Sequence, residues 1–86
     1  MATGTIRYWA SAKAAAGIDE ETVEAQTLAG AVAVALARHA DRPRLGEVLK
    51  VCSFVVDGQP TGRRPHDGVL LAEGWVAEAL PPFAGG

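Results

Sequence analysis

A chain of 86 residues with 49% hydrophobic and 21% charged side chains holds enough apolar material for one core and too much for a disordered segment. Its formal net charge of −2 and pI near 5.5 argue against nucleic acid as a partner. The single cysteine, Cys52, cannot form an internal disulfide, which points to a reducing compartment and to the cytoplasm.

TIRYWA, from Thr5 to Ala10, is rich in β-branched and aromatic residues and predicts a strand. Ile6, Tyr8 and Ala10 fall on one face, Arg7 and Trp9 on the other. SAKAAAG follows as a helical turn stopped by Gly17. Asp19, Glu20 and Glu21 make an acidic run of the kind that forms a solvated face. ETVEAQ alternates Val23 and Ala25 against Thr22, Glu24 and Gln26, a half-exposed strand that pairs with the first in a hairpin-like way.

Thr27 reads as the N-cap of LAGAVAVALARHA. Leu28, Val32 and Leu36 recur every four residues, and Ala29, Ala33 and Ala40 are placed on the same side. Asp41, Arg42 and Pro43 end this helix, the main one in the chain. RLGEVLK spaces Leu45, Val48 and Leu49 for a second, short helix. VCSFVVDGQPT predicts a strand containing Cys52, closed by an Asp57-Gly58 turn. GRRPHDG is a polar loop with Arg63, Arg64 and His66. VLLAEG adds a short apolar segment, and WVAEAL, Trp75 to Leu80, a last strand that Pro81-Pro82 cannot prolong. One main helix on one face of a mixed sheet makes an α+β, two-layer domain over residues 1–80, with a flexible tail at 81–86.

The catalytic repertoire is thin. His39, His66 and Cys52 have no metal-ligand spacing, so no metal is expected. His39 fits a helix C-terminus, where the macrodipole favours it, and His66 fits a solvated loop. Cys52 behaves as a small hydrophobe. Phosphate-cradling glycine loops and nucleophile elbows are missing from the sequence. The opening segment carries Arg7 inside its apolar stretch, unlike a signal peptide, and no apolar run reaches the roughly 20 residues of a membrane span. No membrane partner is expected.

Chemistry is concentrated in PPFAGG, Pro81 to Gly86. Pro81 and Pro82 hold the backbone extended, so six residues reach on the order of 20 Å. Phe83 offers apolar surface to a partner groove or to its own sheet. Ala84, Gly85 and Gly86 are thin enough to enter a channel in which larger side chains would clash. The α-carboxylate of Gly86 is ionised at neutral pH. A carboxylate on such an arm suits delivery into another protein's active site.

IRYWASAKAAAG, LAGAVAVALARH, FVVDGQPT and WVAEALPPFAGG together resemble the MoaD/ThiS group of sulfur carriers over essentially the whole chain. The double proline before the paired glycines is closer to the molybdopterin-synthase branch than to the thiamine branch. Lys13 stands where many members carry arginine, and AEGWVAE has Trp75 in place of an acidic residue. The resemblance implies a ubiquitin-like β-grasp fold and a chain without a side-chain active site or bound cofactor. It further implies that an adenylyltransferase related to ubiquitin-activating enzymes, using ATP and Mg²⁺, adenylates Gly86. A sulfur donor then leaves a thiocarboxylate, which the large subunit of molybdopterin synthase receives in a hetero-oligomer. Pro81, Pro82, Phe83, Ala84 and Gly85 would be the inserted arm. Sulfur transfer toward thiamine, cysteine or tRNA, or ubiquitin-like conjugation, needs the same arm. The roles of Trp9, Trp75 and the Arg63-Arg64 loop are left open at this level.

Overall fold

The computed structural model describes residues 1–82. Of the tail, Phe83, Ala84, Gly85 and Gly86 therefore lie outside the described residues. Strand β1 (Ala2–Tyr8) leads into helix α1 (Ala10–Ala16), strand β2 (Glu20–Ala25), helix α2 (Leu28–Arg38) and helix α3 (Pro43–Val51). Strands β3 (Ser53–Val56) and β4 (Gln59–Pro60), a 3-10 turn (His66–Gly68) and strand β5 (Val76–Leu80) follow. The strands form one mixed sheet in the order β2-β1-β5-β3-β4. Among the described residues only β1 and β5 run parallel; their register places Tyr8 beside Ala79. This is the β-grasp arrangement, with first and last strands adjacent at the centre.

Side-chain alternation sends Ile6, Tyr8, Val23, Ala25, Phe54, Val56, Ala77 and Ala79 to one buried face. The three helices close over it. β1 and β2 pair antiparallel as expected, with α1 filling the connection between them. Gly17 ends α1 at φ 80°, a left-handed conformation that glycine adopts without penalty. Thr27 caps α2 by accepting a 3.1 Å hydrogen bond from the Gly30 amide.

Helix α2 turns differently from the expected stripe. Its buried residues are Leu28, Ala31 and Ala35, while Val32 is half-buried and Ala33, Leu36 and Ala40 are exposed. The small alanines let the helix approach the sheet closely. Val32 and Leu36 are left to line a groove shared with Gly46 and Leu49 of α3. The helical turn expected at SAKAAAG is a full helix, α1, so the described residues hold three α-helices, of which α2 is the longest.

Two further expectations are corrected, and one open question is answered. Cys52 is not in a strand; it caps the C-terminus of α3, half-buried, and burial pushes its thiol pKa up. His66 is not simply solvated, since its ring meets Phe54 edge-on with centroids 5.0 Å apart. Trp75, whose environment the sequence left open, belongs to the core. It is 1% exposed, and its indole Nε1 donates to the Ala2 carbonyl at 3.2 Å.

The acidic run also divides. Asp19 and Glu20 form exposed pairs with Lys13 and Arg7, contacts worth little in water. Glu21 instead points to the helix side. It accepts from the Tyr8 hydroxyl at 2.5 Å and from Arg38 at 3.2 Å, and lies 2.8 Å from His39 Nε2. Arg38 also donates to the Thr22 carbonyl at 2.6 Å, covering part of the β2 edge. Burial works to raise the Glu21 pKa, but the hydrogen bonds from Tyr8, His39 and Arg38 outweigh it and leave the carboxyl below its ordinary 4.5. Burial and donation to Glu21 push the Tyr8 hydroxyl up, so it stays a donor.

A carboxylate held lower in the folded than in the unfolded chain stabilises the fold fully above its ordinary pKa. That stabilisation is lost as pH falls through the lower, folded value. Glu21→Gln should cost about 1–3 kcal/mol near neutrality, the cost of breaking buried charge-assisted hydrogen bonds. It should also flatten the loss of thermal stability below the ordinary carboxylate pKa. Melting curves by circular dichroism across the acid range check this, and an unchanged neutral melting temperature would contradict it.

Candidate functional site: the root of the C-terminal arm

β5 is held on both sides. Thr5 to Tyr8 of β1 pair with Val76 to Ala79, and Ser53 to Val56 of β3 pair with Leu80 to Ala77. The Trp9 amide donates to Ala79 at 3.3 Å, next to the end of the strand. Pro81 then lacks the amide needed to continue the ladder. Pro81 is half-buried and Pro82 exposed, so the chain passes from the centre of the sheet to the surface within two residues. Of the site residues expected from sequence, these two are brought together at the root. Phe83, Ala84, Gly85 and Gly86 follow in sequence, outside the described residues.

Two surfaces flank the root. One is the open face of the sheet. There Trp9, 46% exposed, donates its indole N–H to Glu78 Oε2 at 3.0 Å, and Val55, Val76 and Leu80 are half-buried. The other is a groove of about 340 Å³ between α1 and α3, lined by Ser11, Arg44, Glu47, Val48, Val51 and Pro82. Sequence reasoning missed this groove. The signal that could have found it is Val51, which falls off the Leu45–Val48–Leu49 stripe and is 60% exposed. Among the described residues, no group of three or more His, Cys, Asp or Glu side chains is arranged to hold a metal ion. No helix among them is long and apolar enough to cross a membrane.

No family model matches the chain. Over 81 residues it is 30% identical to the molybdopterin synthase sulfur carrier subunit of Chlamydomonas reinhardtii, covering 94% of this chain and 95% of that one. The chain belongs to that family. Solved structures agree with the molybdopterin synthase sulfur carrier family on the fold. Small archaeal modifier protein 1 from Methanosarcina acetivorans has a TM-score of 0.82 at 18% identity, covering 100% of this chain and 98% of that one. A chain from the complex of subunits 1 and 2 of molybdopterin-converting factor from Helicobacter pylori has a TM-score of 0.68 at 21% identity, covering 98% and 99%. This is a MoaD-like sulfur carrier by family and a ubiquitin-like β-grasp protein by fold. PPFAGG follows directly from the end of the central strand β5.

Proposed function

We propose that this chain carries sulfur on its C-terminal glycine in the cytoplasm, for the building of molybdopterin. The observation that carries the reading is the family match spanning nearly all of both chains. The root geometry supports it: a strand anchored on both sides runs into Pro81-Pro82, and the sequence reaches Gly86 four residues later.

The Gly86 carboxylate is a poor electrophile. An adenylyltransferase would activate it with ATP and Mg²⁺, making a mixed anhydride with AMP as leaving group. A sulfur donor would displace AMP and leave a thiocarboxylate. The large subunit of molybdopterin synthase would then take the arm and receive the sulfur, in a hetero-oligomer with this chain. Complex formation between subunits 1 and 2 of molybdopterin-converting factor in Helicobacter pylori supports such a partner. The chain itself supplies reach and placement, which raise the effective concentration of the sulfur at the receiving centre. It holds no cofactor in this scheme.

Intact mass tests the reading. The untagged chain, incubated with a cognate activating enzyme, ATP, Mg²⁺ and a sulfur donor, should gain the mass of one oxygen exchanged for sulfur. An unchanged mass, with the enzyme active on another carrier, would contradict it. The fold shared with an archaeal modifier protein supports a second reading, in which a lysine amine attacks the same activated carboxylate. Gly-Gly remnants on lysines of other proteins would be its mark. A carrier serving thiamine, cysteine or tRNA thiolation would pass the mass test but would not restore molybdoenzyme activity in a deletion strain.

A further inference from the structure

A groove of about 350 Å³ opens between α2 and α3, on the helix side of the sheet. Val32 and Leu36, one turn apart, line it from α2. Gly46 and Lys50, also one turn apart, line it from α3. The buried Leu49 and Phe54 extend its apolar surface, and His66, edge-on to Phe54, completes it. Packing gives no reason for Gly46. Glycine inside a helix is destabilising relative to alanine. The fold accounts for Gly30 of α2, since a Cβ there would crowd the capping hydroxyl of Thr27 at 3.3 Å. At Gly46 a Cβ would meet only Leu36 Cδ2 beyond its own helix, at an ordinary 3.7 Å. Alanine would fit, so what glycine preserves is a notch in the groove. Charge also sets this groove apart. The chain has a net charge of −2, yet none of the described residues lining the groove is acidic. Its ionisable groups are Lys50 and His66, and Lys50 has no ion-pair partner among the described residues. Glu47, the next residue of α3, lines the α1–α3 groove instead.

We infer that the α2–α3 groove receives an amphipathic helix of another protein. That helix sets a large apolar side chain into the notch at Gly46 and turns a carboxylate toward Lys50 and His66. Side-chain rows one turn apart on two helices leave the kind of groove that the ridge of a third helix fills. The apolar lining supplies affinity, and the unpaired cation selects an acidic flank over a basic one. A second copy of the chain is a poor occupant, because symmetric pairing of the two grooves would bring the two Lys50 ammonium groups toward each other. Neither Pro81 nor Pro82 lines the groove, and the inference stands apart from the sulfur-carrier reading.

The test is a titration of the isotopically labelled full-length chain, followed by amide NMR. The probes are two amphipathic helical peptides with the same leucine face, flanked by glutamates in one and by lysines in the other. The glutamate-flanked peptide should shift the amides of Leu36, Gly46, Lys50 and His66 saturably and bind more tightly than the lysine-flanked one. Lys50→Glu should reverse that order. Gly46→Leu fills the notch and should weaken binding on the order of tenfold or more. Its melting temperature should not fall, because leucine is the better helix former. Val51→Ser is the control: Val51 lines the α1–α3 groove, so affinity should match wild type. Absence of saturable shifts with either peptide, equal affinity for both, or a Gly46→Leu chain that binds as tightly as wild type each overturns the inference. Dodecanoate binding at the same amides more tightly than the glutamate-flanked peptide would give the groove to a free amphiphile and overturn it too. So would self-association of the free chain, seen by sedimentation and lost in Gly46→Leu, which would give the groove to a second copy.

Discussion

Replacing Gly4 with alanine is expected to destabilise the fold by roughly 3 kcal/mol or more, the upper end of what overpacking a core costs. Gly4 sits on the buried face of β1, directly under the Trp75 indole. A methyl group there would overlap Cγ, Cδ2 and Cε2 of the ring. Neither side can easily yield. The Gly4 backbone lies in the ladder between β1 and β2, opposite Val23. The indole is almost wholly buried and anchored to Ala2 by its N–H. For a domain of this size each kcal/mol moves the melting temperature by about 4–8 °C, so a drop of at least ~10 °C is expected. Trp75→Leu should also destabilise on its own, by loss of packing. In a double-mutant cycle the pair should cost less than the sum of the two single changes, since the smaller leucine leaves room for the added methyl. A Gly4→Ala chain melting within a degree or two of wild type would mean that the sheet and ring relax freely.

The Gly4–Trp75 pair also marks a limit on what the sequence reveals. Alternation along TIRY and ETVEAQ was enough to place Ile6, Tyr8, Val23 and Ala25 on the core face, because a strand sends every second side chain inward. Thr27 was legible as a cap, since its hydroxyl acts on an amide only three residues away. Trp75 was not legible: its partners are Gly4 and Ala2, seventy-odd positions earlier, and no local pattern encodes that contact. Glu21 failed for the same reason. Beside Asp19 and Glu20 it reads as part of a solvated run, yet Tyr8, Arg38 and His39 converge on it from elsewhere in the fold. On α2 the four-residue recurrence of Leu28, Val32 and Leu36 favoured the larger side chains. Close approach to the sheet selects the smaller Ala31 and Ala35 instead. The reading of the arm depends on residue type and order rather than on packing, and four of its six residues lie outside the described residues. The groove at its root needs α1 and α3 to meet, which only the fold supplies.

Deleting Gly86 is expected to abolish sulfur loading while leaving the fold intact. The deletion leaves a carboxylate on Gly85 and withdraws it by about 3.5 Å from the position the arm would otherwise reach. Misplacing a reacting group by even 1 Å can cost about 100-fold in rate. Activation by the adenylyltransferase should therefore fall by a factor of about 10² or more, read as pyrophosphate release in a single turnover. The chain should then stay at its unmodified mass after reconstitution. Melting should change by no more than about a degree, because the last residues of a chain ordinarily contribute little to stability. Gly86→Ala separates reach from width: it keeps the length of the arm and adds only one methyl beside the carboxylate. If length is what matters, this chain should load far better than the deletion. If a narrow channel is what matters, both should fail alike, and Gly85→Ala should fail with them. A deletion chain that accepts sulfur at the wild-type rate would remove Gly86 from the chemistry and return the arm to an unassigned extension of β5.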